Sequence, residues 1–115
     1  MPLSFTYRGQ RLDTIQTSRE RLLDIRRDKE SLVRLGCGHV GIVVLPRQAV
    51  NYVRHVPGAN CRVCKPETRQ HLLAKSLIAA AVVEAGWEAV VEATGPDNTW
   101  RADVLAQKDD RKVAF

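Results

Sequence analysis

The 115-residue chain is 44% hydrophobic and 27% charged, which excludes disorder and allows one domain, or two very small ones sharing a core. Its formal charge of +5 and pI of about 9.5 suit a polyanion partner. The longest apolar run, Leu77 to Val83, is far too short to span a bilayer, and the first residues lack the apolar core of a secretory signal, so a cytoplasmic protein is expected.

Aromatic residues make up only 5% of the chain, so the core rests on Leu, Val, Ile and Ala. The opening "FTYRGQRLDT" alternates around Gly9 and predicts a short hairpin. Thr17 is placed to cap a helix, with Glu20 completing a capping box, and Leu22, Leu23 and Ile25 give that helix one apolar face through about Glu30. Its arginines, Arg19, Arg21, Arg26 and Arg27, fit a solvated face or a DNA-contacting one. "SLVRL" turns toward strand character. "IVVL" and "VNYVRHV" are β-rich runs split by Pro46, and "PGAN" is a turn. Two or three small strands with a knuckle turn at each end are expected.

From Glu67 the stretch "ETRQHLLAKSLIAAAVVEAG" predicts a helix with Gly86 as its C-cap. It is apolar almost all round, so burial against a sheet is expected. His71 and Lys75 are four apart and share one face near its start. "WEAVVEA", "WRADVLAQ" and "RKVAF" read as strands joined by the turns "TGPDNT" and "KDD". The last strand stops mid-pattern, and a chain continuing past Phe115 is expected.

Two of the three cysteines stand two residues apart in "NCRVCK", just after a turn. That spacing aims two thiolates at one ion while turn amides donate to the sulfurs. An odd count of three argues against a disulfide framework. Cys37 and His39, in the glycine-flanked "GCGHVG", can complete a tetrahedron, so Cys37, His39, Cys61 and Cys64 form a candidate structural zinc site. His55 is the rival fourth ligand, and buried reduced thiols are the alternative to any metal. Bound zinc would contribute roughly 10 kcal/mol or more to folding a unit this small.

Asp103 sits among apolar neighbours in "WRADVLA", and Glu92 ends the preceding strand. A carboxylate there either faces solvent or holds a cation. Mg²⁺ is typically held by one or two carboxylates together with phosphate and water, as phosphodiester hydrolysis requires.

The stretch from "ETRQHLLAKSL" to "RKVAF" resembles the competence protein CoiA-like family, whose nuclease domain belongs to the PD-(D/E)XK, restriction-endonuclease-like superfamily. The residues carrying this are His71 and Lys75, Gly86, and "RADVLA" with Asp103. "RHVPGANC" and the cysteine pair are similar to the family's zinc-ribbon part. The resemblance covers roughly residues 35–115. It implies that Asp103 binds catalytic Mg²⁺, that His71 and Lys75 lie near the active site, and that Glu92 is an extra carboxylate. Two features depart from the family. Ala102 stands where the superfamily has proline, and the sequence ends one residue too soon to show the Glu-x-Gln or Glu-x-Lys element expected after "RKVAF".

The expected fold is therefore α+β: an N-terminal strand and helix segment over residues 1–34, a zinc-ribbon-like module over 35–66, and part of a nuclease-like core over 67–115. The expected function is metal-dependent DNA cleavage. The alternative is a non-catalytic zinc module binding nucleic acid or a partner protein, with Arg47, Arg54, Arg62 and Lys65 clustered on the ribbon. No phosphate-cradling Gly-rich loop, dinucleotide fingerprint or nucleophile elbow occurs, which disfavours kinase, dehydrogenase and hydrolase readings.

Overall fold

A computed structural model describes residues 2–62, 64 and 67–115 as a small α+β protein of two compact units, residues 1–68 and 69–115. Lys65 lies outside the described residues. Among the described residues, no helix is long and apolar enough to cross a membrane.

The N-terminal unit begins with β1 (Ser4–Tyr7) and β2 (Gln10–Asp13), joined through Arg8 and Gly9. Both linking residues have positive φ, 51° and 77°, the twist that a two-residue hairpin demands. Helix α1 (Arg19–Arg27) follows, then β3 (Val33–Arg34), β4 (Val40–Val44) and β5 (Tyr52–His55). The cap of α1 is Ser18 rather than the expected Thr17, because the Ser18 hydroxyl reaches the Arg21 amide at 3.2 Å. The helix ends at Arg27, short of the expected Glu30. Asp28 caps it and accepts from the Glu30 and Ser31 amides.

The five strands form one antiparallel sheet in the order β2-β1-β3-β4-β5. Tyr7 pairs with Val33, so residues 1–34 and 35–66 share a single sheet. They also share a core: Phe5, Tyr7, Leu22 and Ile25 pack with Val33, Leu35, Val43 and Val53. The expected boundary at residue 34 is thus corrected. The two-residue β3 bridges β1 and β4, and Leu22 lies in a core cluster drawn from both segments.

The C-terminal unit is helix α2 (Arg69–Glu84) on a sheet of β6 (Glu88–Thr94), β7 (Arg101–Lys108) and β8 (Arg111–Ala114), ordered β6-β7-β8 and antiparallel throughout. Gly86 closes α2 as expected. Its amide bonds to the Val83 carbonyl and that of Trp87 to Val82, the two bonds of a Schellman cap. The helix is not buried all round. Leu72, Lys75, Ala79 and Val82 form one buried stripe, whereas Leu73 and Leu77 are exposed. A helix over one face of a three-stranded sheet can hide only one stripe, whatever its composition.

Candidate metal centre and the ionisable cluster of the second unit

The β3–β4 hairpin builds the first half of the metal centre. Leu35 accepts from the Gly38 amide and donates to the His39 carbonyl, both at 2.9 Å. Gly38 holds φ 87°, the left-handed position that closes a three-residue hairpin loop and suits glycine. The Arg34 guanidinium donates to the Gly38 carbonyl at 2.9 Å and braces the turn. Cys37 stands at the tip and His39 at the root.

The second half follows β5. Gly41 pairs with His55, which brings His55 beside the turn carrying Cys37. Its Nε2 lies 3.4 Å from the Cys37 sulfur. The chain then turns at Val56–Ala59 and delivers Cys61 and Cys64. The Cys64 amide donates to the Cys61 sulfur at 3.4 Å, the amide-to-sulfur contact expected of this spacing.

Cys37, His39, His55 and Cys61 are all partly buried, and one donor atom from each lies within 4.8 Å of the others, close enough to hold a metal ion. Cys64 is exposed but hydrogen-bonds to both Cys37 and Cys61. Partial burial, followed by those bonds and the repulsion of the two neighbouring sulfurs, pushes its thiol up to about 12. His39 Nδ1 is buried with no hydrogen-bond partner among the described residues. An orphaned buried imidazole nitrogen is costly, and a metal would satisfy it. All three cysteines are free thiols. Three of the four expected ligands, Cys37, His39 and Cys61, are thus brought together; His55, the rival, completes the cluster, and Cys64 lies beside it.

The second unit gathers a different set. His71 and Lys75 are one turn apart on α2. The Val91–Val104 and Ala93–Ala102 pairs of the β6–β7 ladder bracket Glu92 and Asp103, which fall opposite one another. His71 Nε2 lies 2.9 Å from the Asp103 carboxylate, both partly exposed. Lys75 Nζ lies 2.8 Å from Glu92, with side chains 1% and 5% exposed. Glu92 has φ 55°, a left-handed conformation inside a strand. All four expected residues therefore meet on one side of the unit.

They do not fit a Mg²⁺ cage. The Lys75 ammonium neutralises the Glu92 carboxylate in a buried pair, and Asp103 is left as the accessible carboxylate of the four.

The expected arginine cluster is not assembled. Arg54 is exposed on β5, Arg47 lies in the loop between β4 and β5, and Arg62 follows β5 beside the metal centre. Arg47 and Arg62 thus stand at opposite ends of the β4–β5 hairpin. No protein-family model, curated protein or solved structure matches the chain.

Proposed function

We propose that the N-terminal unit is a zinc-stabilised module that docks nucleic acid. The observation that carries this reading is the convergence of Cys37, His39, His55 and Cys61 in a strongly basic unit. Thiolate and imidazole donors suit zinc and disfavour Mg²⁺ or Ca²⁺. Two cysteines and two imidazoles make a closed, structural set. Such an ion supplies folding free energy and ties the β3–β4 turn to the chain after β5.

Charge supports the docking role. Residues 1–68 hold twelve Lys and Arg against six Asp and Glu, whereas residues 69–115 hold six against seven. The whole basic excess therefore lies in the unit with the metal centre, as phosphate contacts require. The test is native and acid-denatured mass spectrometry, followed by DNA binding across a salt series. One zinc per chain is expected, with affinity falling steeply as salt rises. A folded metal-free protein, or no DNA binding at low salt, overturns the reading.

DNA cleavage by the second unit is the alternative, favoured by the meeting of His71, Lys75, Glu92 and Asp103 and by the resemblance to the CoiA-like nucleases. It requires a further metal-binding carboxylate beyond these four. Under this reading Asp103→Ala abolishes Mg²⁺-dependent cleavage, and a fully active Asp103→Ala protein rules it out.

A further inference from the structure

Alternation along the strands assigns two faces to the five-stranded sheet. Phe5, Tyr7, Val33, Val43 and Val53 point to the core, where Leu22 and Ile25 of α1 cover them. Among the described residues, the opposite face carries no helix of its own unit. There the ladder aligns Arg11 on β2 with Thr6 on β1, Thr6 with Arg34 on β3, and Arg34 with Val40 on β4. Further along, Ile42 pairs with Arg54 and Val44 with Tyr52.

Arg11, Arg34 and Arg54 therefore recur on every second strand of the order β2-β1-β3-β4-β5. Because the Val53 amide also donates to the Pro2 carbonyl and β1 meets β5, the sheet curls, and the three cations make a curved track around its outer face. All three residues are exposed. Beside the track lie half-buried Ile42, Val44 and Tyr52. Among the described residues the face has one acid, Asp13 at its corner, and that carboxylate is turned to the amides of Ile15 and Gln16.

We infer that this open face is a binding surface for single-stranded nucleic acid, with phosphates on Arg11, Arg34 and Arg54 and a base stacked on Tyr52. A duplex offers no unstacked base to an aromatic ring on a sheet, whereas a single strand lays its bases flat on such a platform. A track of guanidiniums beside an aliphatic and aromatic strip matches a charged backbone with apolar base faces. The inference rests on the nucleic-acid reading above and locates it. The contact then lies on the sheet, with Tyr52 at the foot of the loop that carries Arg47.

The test uses the zinc-loaded full chain and a fluorescently labelled oligothymidylate, read by anisotropy over a salt series, with metal content and melting as controls. Tyr52→Ala is expected to lower affinity about ten-fold or more with zinc retained. The double variant Arg11→Ala/Arg54→Ala is expected to shrink the salt slope by about 1.4, as loss of two single-strand phosphate contacts predicts. A blunt duplex of the same length is expected to bind more weakly. If the wild-type chain binds and folded face variants bind equally well, the face is wrong while the docking reading stands. If the wild-type chain binds neither oligomer at low salt, both fall. Should Tyr52→Ala fail to fold, Tyr52→Phe is expected to keep affinity and the arginine double variant decides.

Discussion

The buried Lys75 ammonium lies 2.8 Å from Glu92, and Glu92 is held in a left-handed backbone conformation within β6. Two costs meet at one residue: desolvation of a charge, and backbone strain of about 1–3 kcal/mol. The pairing offsets the first, because the helix stripe that buries Leu72 and Ala79 also carries Lys75 into the sheet.

Breaking the pair should cost more than deleting it. Lys75→Met or Glu92→Gln alone is expected to destabilise the protein by roughly 3–5 kcal/mol, since each leaves a buried polar group without its charge partner. The double variant Lys75→Met/Glu92→Leu is expected to recover most of that loss. Urea denaturation of the four proteins checks this, and additive losses would show that the two side chains act independently.

Metal loss should unfold the region around the β3–β4 turn. Cys61→Ala is expected to lose bound zinc and most of the roughly 10 kcal/mol that a structural site contributes. The two histidines should behave differently. His39 has the orphaned nitrogen, whereas His55 already contacts the Cys37 sulfur. His39→Ala is therefore expected to abolish stoichiometric zinc. His55→Ala should keep the ion with weaker affinity, because Cys64, beside Cys37 and Cys61, is placed to take the vacated position. Metal analysis after dialysis against a chelator series reads both.

Acid should weaken the N-terminal unit through Asp28. The Tyr7 hydroxyl and then the amides of Glu30 and Ser31 hold its carboxyl well below the ordinary 3.8. A carboxylate depressed in the folded state contributes stability above the unfolded value and loses it as pH falls. Asp28→Asn is expected to be less stable than wild type at pH 7. The gap should narrow below about pH 5, where the unfolded carboxylates begin to take up protons. Denaturation midpoints from pH 7 to pH 3 check the direction, and a constant gap would remove the titration argument.

Close packing makes Gly41 intolerant of a side chain. A Cβ there would meet Val53 Cγ1 at 2.7 Å and Leu35 Cγ at 3.2 Å, both within the core of the metal-bearing unit. Gly41→Ala is expected to cost about 1–3 kcal/mol by overpacking. Thermal melting measures it. An unchanged midpoint would mean that the β3–β4–β5 core is looser than described.

Much of the local structure was legible. Gly9 announced the first hairpin, Gly86 the end of α2, and the cysteine spacing the amide-to-sulfur turn. Each depends on residues within a few positions of one another. The helix cap lies one residue past the expected Thr17, because Thr17 and Ser18 offer the same hydroxyl chemistry and only the path of the chain selects between them.

The sequence by itself determined the element types, the candidate donors of a metal centre and the basic excess, because propensity, capping and ligand chemistry act over short range. Tertiary structure decided the rest. Pairing of Tyr7 with Val33 merged two expected segments into one sheet, and pairing of Gly41 with His55 carried a second histidine to the cysteines. The approach of α2 to β6 gave Glu92 a cation rather than solvent. Those outcomes rest on contacts between residues far apart in the chain. Their register is fixed by which faces must be buried together, and no local stretch encodes that.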